Sequence, residues 1–281
     1  MMLRLVTMVC LTTVQSTVTM TNSPILILGG AGKTGRRVAT QLDARGVAFR
    51  LASRSSTPRL DWYDETTWST AVQGTDTAYL APPVDPTGLA AAARFVESAA
   101  GDGQLALEDA VKASGLDWTI LQPAWFMQNF SETWMYDYVQ AGQLRLSTGD
   151  GAEAWIDTDD VGDVAALTLL DDEHVGRTYA LSGPRLLTLT EVAAELTAAI
   201  GRQVDYLPLD PDEHVTEMVG AGVPPEEAHA IRDLFAVIRL HRSEYISDGV
   251  AQLLGRPPRD FADWARAAAA EGAWPLLSQT R

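Results

Sequence analysis

Residues 28–35, LGGAGKTG, combine glycines and a lysine in a pattern that two kinds of phosphate site share. Gly-Lys-Thr ends the phosphate loop of nucleoside triphosphatases, but that loop needs a further glycine five residues earlier, where this chain has Ile27. Gly29, Gly32 and Gly35 instead recur every three residues, a variant of the turn that holds a dinucleotide pyrophosphate. The stretch therefore favours a dinucleotide over ATP.

The glycines lie between a predicted strand and a predicted helix. Residues 25–28 are a continuous apolar run, typical of a parallel strand that is covered on both faces. Residues 36–42 favour a helix, which Gly46 would end. A strand-to-helix turn directs free N–H groups and the positive end of the helix dipole at an anion. Glycines that only turn the chain would give the same pattern, so that alternative stays open.

The end of the second predicted strand, residues 47–52, indicates which dinucleotide would bind. A site for NAD carries Asp or Glu here to bind the ribose 2′-hydroxyl, whereas this chain has Ser-Arg-Ser-Ser. Arg54 can pair with a 2′-phosphate, and Ser55 can add a hydrogen bond. The sequence therefore predicts NADPH (NADP) as the cofactor. A solvent-exposed arginine at a strand end is the alternative.

Composition excludes several other functions. The 281 residues carry a formal net charge of −16, which disfavours nucleic acid as a partner. No apolar run after residue 24 is long enough to cross a membrane. A single cysteine excludes a disulfide framework, and the four histidines lack metal-site spacing, so we expect no metal. The expected partner is a small-molecule substrate, and the oligomeric state is open.

Strands and helices alternate along most of the chain, which predicts an α/β fold. Beyond residue 60 the predicted elements are a helix over 65–72, a strand over 76–81 closed by Pro82 and Pro83, helices over 86–100 and 104–114, strands over 117–121 and 154–157, a helix opened by Asp159, a strand at 179–181, a helix over 192–200 with a capping box at Thr188 and Glu191, a strand over 204–208 and mostly helix over 211–272.

The ends of the predicted elements suggest three regions. Residues 1–19 are expected to be a disordered or mis-called extension rather than an export signal, and a cytoplasmic location is expected. Residues 20–184 would form the NADP(H)-binding domain, and residues 185–281 a smaller lobe that caps the substrate. Residues 124–130, AWFMQNF, fit either core or pocket wall, and their place just after a strand favours pocket wall.

Several stretches together resemble one protein family. ILILGGAGKTG, ASRSS, DWYDETTW, YLAPP and TILQPAWFMQNFSE occur in this order. In this combination residues 24–210 resemble the NmrA-like branch of the atypical short-chain dehydrogenases, and especially the NADPH-dependent reductases of ergot-alkaloid biosynthesis and their bacterial relatives. The resemblance implies a Rossmann-like, doubly wound parallel sheet with a small, mostly helical C-terminal substrate lobe. It also implies reduction of an imine or iminium carbon, or of a conjugated carbon, in secondary metabolism.

The resemblance also implies two sets of site residues. The cofactor set is Gly29, Gly32, Lys33, Thr34, Gly35, Arg54, Ser55, Asp61, Ala81, Pro82 and Pro83, with Trp62 near Asp61. The substrate set is Gln122, Pro123, Trp125, Phe126 and Asn129.

Two departures from the family bear on catalysis. The family has another strand between the helices predicted at 86–100 and 104–114, whereas here residues 101–103 join them directly. The sheet is therefore expected to be one strand short, with 117–121 beside 77–81, or the cofactor cleft to be wider. No Tyr-x-x-x-Lys occurs, so the catalytic residues are unknown. Gln122, Asn129 and Tyr136 are candidate proton donors by position alone.

Three functions fit these observations. The first is an NADPH-dependent reductase, and iminium reduction suits it because hydride transfer to an iminium carbon needs no proton donor. The second is a non-catalytic, NADP(H)-sensing regulator of the NmrA type, which the missing strand favours. The third is an isomerase or cyclase that uses the cleft without net redox change. Net oxidation of NADPH would separate the first from the other two.

Overall fold

The computed structural model describes residues 8–12, 23–83, 88, 90–95, 108, 111–112 and 116–275. In chain order its elements are β1 (Met8–Thr12), β2 (Ile25–Leu28), α1 (Lys33–Ala44), β3 (Phe49–Ala52), a 3-10 turn (Glu65–Thr67), α2 (Trp68–Val72), β4 (Thr77–Leu80), β5 (Asp117–Pro123), α3 (Asn129–Glu132), α4 (Met135–Ala141), β6 (Gln143–Leu146), β7 (Ala152–Glu153), α5 (Thr158–Leu170), a 3-10 turn (Asp172–His174), β8 (Arg177–Leu181), β9 (Leu187–Thr188), α6 (Leu189–Ile200), β10 (Asp205–Pro208), α7 (Pro211–Gly220), α8 (Pro225–Arg239), α9 (Gly249–Leu254) and α10 (Phe261–Ala270).

These elements form two compact units. The first unit consists of Met1–Pro123, Thr158–Leu181 and Gly249–Arg256. The second consists of Ala124–Asp157, Ser182–Asp248 and Pro257–Arg281. This division differs from the expected single boundary between residues 184 and 185. The reason is that β5 and β8 pair in one sheet, so the chain leaves the first unit after β5 and returns to it for α5 and β8.

A six-stranded sheet organises the first unit, in the order β3-β2-β4-β1-β5-β8. The pairs β2–β3, β2–β4 and β5–β8 are parallel, while β1 is antiparallel to both β4 and β5. All strands except β1 therefore run in one direction and end at one edge of the sheet. This arrangement confirms the Rossmann-like α/β prediction. Ligands of such sheets bind outside the carboxyl ends of the strands.

The strand β1 bears on two expectations. Its five residues form a central strand within residues 1–19, where a disordered or mis-called extension was expected. Because β1 lies between β4 and β5, the prediction that 117–121 pairs directly with 77–81 is wrong. The expectation that residues 101–103 join two helices, and the other residues before 20, lie outside the described residues. Residues 88, 90–95, 108 and 111–112 are helical, as predicted.

The sheet of the first unit is buried on both faces. Leu26 and Leu28 on one face and Ile27 on the other are fully buried. Trp62 and Trp68 each meet Phe95 edge to face at 5.5 Å between ring centroids. Burial of one such side chain contributes about 1.5–3 kcal/mol. The apolar stripe of α1 packs inward, which explains why the predicted strand-turn-helix forms.

The second unit is built around aromatic side chains. β6 pairs with β10 in parallel, and β7 pairs with β9 antiparallel. Phe130 contacts both Trp155 and Phe261, which in turn contacts Trp264, at centroid distances of 4.9, 5.7 and 5.1 Å. The predicted strand at 154–157 is displaced, since the paired residues are Ala152–Glu153 and only Ile156 of that segment forms a β-bridge.

Helices of the second unit follow the predicted signals. Thr188 and Glu191 form the predicted capping box at the start of α6. The region predicted to be mostly helical contains α7, α8 and α10, together with α9 of the first unit. Within the described part of the chain, no helix has the length and apolar character that crossing a membrane requires.

Candidate cofactor and substrate site

The glycine turn is held by close backbone contacts. Gly29 has φ +81°, and a Cβ there would lie 2.4 Å from the carbonyl oxygen of Ala81. A Cβ on Gly35 would lie 2.5 Å from the carbonyl oxygen of Gly29 and 2.8 Å from Cα of Gly30. Both positions thus require glycine, one for its backbone conformation and both for space.

Gly32 and Gly30 have different environments. Gly32 is the N-cap of α1 and donates to Gly29 at 2.9 Å, and a Cβ there would meet only that carbonyl, at 3.1 Å. Gly30 was missed by the spacing argument. A Cβ on Gly30 would lie 2.7 Å from a methyl group of Leu51 on β3, a contact that becomes visible only when the second strand is placed.

The first turn of α1 is suited to an anion. Gly32 offers no side-chain cap, and the first turn contains no acidic residue. The backbone N–H groups there and the helix dipole therefore favour a negative charge. Lys33 is half-buried in this turn, and Thr34 is buried. These two residues are the first two of α1, directly after the N-cap Gly32, rather than part of the loop before it.

The end of β4 meets the glycine turn. The amide of Ala81 donates to the carbonyl of Leu28 at 3.0 Å, and its own carbonyl lies over Gly29. Pro82 and Pro83 follow at the same edge and are half-buried. The structure thus brings Ala81 against Gly29, two parts of the predicted cofactor set that lie 52 positions apart in the sequence.

The loop after β3 presents Arg54 to solvent. The segment is compact because the amides of Ser53 and Leu60 bond to Ser56 Oγ and to the carbonyl of Ser53, at 2.6 and 2.9 Å. The side chain of Arg54 is exposed and makes no hydrogen bond or ion pair with another described residue. Ser55 is exposed beside it. An available guanidinium at the carboxyl end of β3 is what a 2′-phosphate would require.

Asp61 already has partners within its own loop. Its carboxylate accepts from the amide of Tyr63 at 3.2 Å and pairs with Arg59 at 3.2 Å. Its neighbour Trp62 is buried in the apolar core, so that side chain is core rather than a wall for the adenine. Arg59, which the sequence reading passed over, brings a second guanidinium to the loop that carries Arg54.

The substrate set is divided between the two units. Gln122 and Pro123 end β5 in the first unit, and the amide nitrogen of Gln122 donates to Glu108 at 2.8 Å. Trp125, Phe126 and Asn129 belong to the second unit. The side-chain amide of Gln122 is therefore hydrogen-bonded to a carboxylate at the carboxyl edge of the sheet. This contact argues against Gln122 as a proton donor.

Trp125 is part of an aromatic surface in the second unit. It stacks on Phe235 at 5.3 Å with an interplanar angle of 18° and meets Trp155 edge to face. Trp134, whose exposed fraction is 42%, packs its edge on Phe235. Trp125 itself is half-buried, so it can present one face to a planar group.

Phe126 and Asn129 lie on the segment that follows Trp125. Phe126 forms a parallel β-bridge with Ile156, and Asn129 is the first residue of α3. Between them, the buried side chain of Gln128 donates to Asp157 at 2.7 Å. Tyr136, the third positional candidate for proton donation, accepts from Gln140 at 2.7 Å. None of these contacts identifies a catalytic residue.

Two buried ionisable groups of the second unit were not predicted. Burial raises the pKa of Glu153 to about 7, while the hydroxyl of Ser243 and the backbone amides of Ala154 and Trp125 oppose the rise. Burial lowers the pKa of His214, which bonds Ser147 at 3.0 Å and stacks on Phe235. Among the described residues, no cluster of His, Cys, Asp or Glu could hold a metal ion.

Known proteins resemble the chain over nearly their whole length. An NAD(P)H azoreductase of Xenophilus azovorans is 31% identical, over 88% of this chain and 98% of the relative. Agroclavine dehydrogenase of Claviceps fusiformis is 29% identical, over 85% of this chain and 95% of the relative. No family model matches the chain.

Solved structures share the fold. The NADPH-dependent quinone oxidoreductase QOR2 of Escherichia coli, complexed with NADPH, has a TM-score of 0.71 and 22% identity, over 86% of this chain and 99% of that one. NmrA, a negative transcriptional regulator in complex with NAD, has a TM-score of 0.65 and 14% identity, over 89% of this chain and 96% of that one.

Proposed function

Since the chain belongs to the NmrA-like branch of the atypical short-chain dehydrogenases, a family of NAD(P)H-dependent reductases, we propose that it reduces a small metabolite with hydride from NADPH. The observation that carries the proposal is the glycine turn. Gly29 and Gly35 allow backbone to approach backbone, and the first turn of α1 offers N–H groups and contains no acidic residue. A pyrophosphate would bind there, with Lys33 and Thr34 lining the loop.

Arg54 is the proposed determinant for NADPH over NADH. Its exposed guanidinium would pair with the 2′-phosphate, Ser55 would add a hydrogen bond, and Asp61 would border the adenine side of the loop. The residues Ala81, Pro82 and Pro83 would form the rigid edge near the ribose and nicotinamide. When bound, NADPH supplies hydride, and the chain's own residues bind and orient the two reactants.

The proposed substrate is a planar electrophile with an imine, iminium or conjugated carbon. Trp125, stacked on Phe235, offers an aromatic face in the second unit, and Phe126 and Asn129 would border the rest of the pocket there. None of the positional candidates is established as a proton donor. An iminium carbon suits such a site because its reduction leaves a neutral amine without protonation at nitrogen.

The test begins with binding. The full chain is titrated with NADPH, NADH and ATP in parallel, and binding is followed by nucleotide fluorescence for the reduced cofactors and by competition for ATP. We expect tight NADPH binding, weaker NADH binding and none for ATP. Oxidation of NADPH is then measured with cyclic iminium ions, imines and enones. Binding of ATP in preference to NADPH would contradict the proposed cofactor.

A regulator that senses NADP(H) is the second candidate. The sequence at residues 101–103, which is predicted to join two helices directly, favours it, because catalytic residues on an absent strand would be lost. NADPH binding without oxidation by any electrophile in the panel would support this function over the reductase. Product formation at constant NADPH would instead support an isomerase or cyclase.

A further inference from the structure

The strand β1 is paired along both of its edges. Val9 to Thr12 pair with Leu80 to Thr77 of β4, and Met8 to Thr12 pair with Leu121 to Asp117 of β5. Both pairings are antiparallel, in a sheet whose other strands are all parallel to one another. The five residues of β1 thus occupy the middle of the sheet, between the half with the glycine turn and the half with β5 and β8.

The width of β1 decides where these two halves lie. Neighbouring strands are about 4.8 Å apart, so β4 and β5 on either side of β1 are about 10 Å apart. Without β1, each would present an unpaired row of N–H and C=O groups inside the sheet. Direct pairing of β4 with β5 would require one half of the sheet to move by a whole strand spacing.

The candidate site depends on that spacing. β4 leads into Ala81, which lies against Gly29, and β5 ends at Gln122 and Pro123. All of these residues belong to the first unit, and β4 and β5 end at the same edge of its sheet. A shift of one strand spacing would move Gln122 and Pro123 relative to the glycine turn. The segment that fills the gap therefore sets the geometry of the carboxyl edge.

The connection from β1 to β2 does not dictate this placement. Thr12 pairs with Thr77 and Asp117 at the edge of the sheet where β2 begins at Ile25. Twelve residues separate Thr12 from Ile25 and can span about 40 Å, whereas β1 and β2 are two strand spacings, or about 10 Å, apart. Pairing of the backbone, rather than a short tether, must therefore hold β1 in the gap.

We propose that the gap between β4 and β5 is a strand-accepting site, and that its occupant is this chain's own segment Met8–Thr12. Four of its five residues pair with β4 and all five pair with β5. Recognition is by antiparallel backbone pairing on two edges, as in strand addition, but in the interior of a sheet. The consequence for nucleotide binding rests on the proposed function, whereas occupancy of the gap does not.

Amide hydrogen exchange on the full chain tests occupancy first. We expect the amides of residues 9–12 to exchange on the order of 100-fold more slowly than unpaired amides, together with those of β4 and β5. Exchange of residues 9–12 at the rate of unpaired amides would overturn the proposal. So would protection confined to a dimer, because the strand would then come from a second copy.

A proline in β1 tests the pairing itself. Cys10→Pro removes one N–H and disfavours a central strand, whereas Cys10→Val keeps the backbone donor and favours strand structure. We expect Cys10→Pro, but not Cys10→Val, to speed exchange in β4 and β5 and to weaken NADPH binding at least tenfold. Equal exchange in both variants would overturn the proposal. Changed exchange with no NADPH binding even by the unaltered chain would instead contradict only the proposed function.

A peptide supplied separately tests the site as an acceptor. The labelled peptide LVTMVCLTTVQS, residues 5–16, is added to the Cys10→Pro chain, and its binding is followed by fluorescence anisotropy, with a scrambled peptide as control. We expect saturable binding of the native sequence and recovery of slow exchange in β4 and β5. Equal binding of both peptides, or no binding to a chain that retains its helical circular dichroism, would overturn the proposal.

Discussion

The glycine turn and the surroundings of Glu153 both depend on close packing, but they differ in where their determinants lie. The turn takes its contacts from residues 28–35 and from the ends of the neighbouring strands, at Leu51, Ala52 and Ala81. Glu153 is buried by the aromatic unit and meets Trp125 and the adjacent residues Ser243 and Glu244, which come from two distant parts of the chain. The first site can be recognised from a sequence motif, whereas the second can be recognised only in the folded chain.

The first prediction concerns substitutions that disrupt the glycine turn. Gly35→Ala should lower NADPH affinity more than 100-fold, because its Cβ would lie 2.5 Å from a backbone oxygen that cannot move alone. Gly32→Ala should have a smaller effect, since the nearest atom is 3.1 Å away. Gly220→Ala, where a Cβ meets nothing within 4 Å, is the control. Titration by nucleotide fluorescence measures all three, and equal affinities for Gly35→Ala and Gly220→Ala would refute the ranking.

The second prediction concerns Glu153 and pH. Its pKa is raised from 4.5 to about 7, so the folded state holds the proton more tightly than the unfolded state. The stability that this contributes is fully present below about pH 4.5 and is lost as the pH rises to about 7. Relative to Glu153→Gln, the unaltered chain should therefore lose up to about 3 kcal/mol across this window.

Urea unfolding at several pH values checks the Glu153 prediction. The difference in unfolding free energy between Glu153→Gln and the unaltered chain should grow from pH 4.5 to 7 and then stay constant. Glu227→Gln, at an exposed position of the same unit, is the control. A difference independent of pH would show that Glu153 is already ionised throughout.

The third prediction sharpens the assignment of Arg54. Arg54→Ala should weaken NADPH binding by about 1.5–3 kcal/mol and leave NADH binding nearly unchanged, because only NADPH carries the 2′-phosphate. Arg45→Ala is a matched control, since Arg45 is exposed in the same unit and bonds to Gln41. Equal losses for both cofactors would mean that Arg54 supports the loop rather than the phosphate.

The sequence predicted those parts of the fold that depend on neighbouring residues. β2, α1 and the end of β3 follow from periodicity, and the capping box at Thr188 follows from two residue types three positions apart. The position of β1 could not be read in this way. Its five residues, Met-Val-Cys-Leu-Thr, are too short a run to identify a strand by themselves, and only the opening between β4 and β5 gives them two partners.

The same distinction between local and distant determinants applies to the residues of the candidate site. The roles of Gly29 and Gly35 were expected from spacing, whereas the burial of Trp62 and the pairing of Gln122 with Glu108 were not. A tryptophan beside a loop and a glutamine at a strand end have no local pattern that separates ligand contact from core contact. Tertiary packing decides between the two, and single-sequence periodicity carries little information about it.

The smallest predicted effect belongs to the capping box, a local device in the second unit. Thr188 Oγ1 accepts from the amide of Glu191 at 3.3 Å, and the Glu191 carboxylate accepts from the amide of Thr188 at 2.8 Å. Thr188→Ala should therefore cost about 1 kcal/mol of unfolding free energy, while Thr188→Ser should retain most of the stability. The hydrogen bonds from Thr188 lower the pKa of Glu191, so this stability is present at neutral pH and is lost as acid protonates the carboxylate. Urea unfolding at pH 7 and pH 3 measures both effects. If Thr188→Ala left the unfolding free energy unchanged at pH 7, packing of α6 rather than its cap would stabilise the helix. Even a motif that can be recognised in the sequence would then depend on distant contacts.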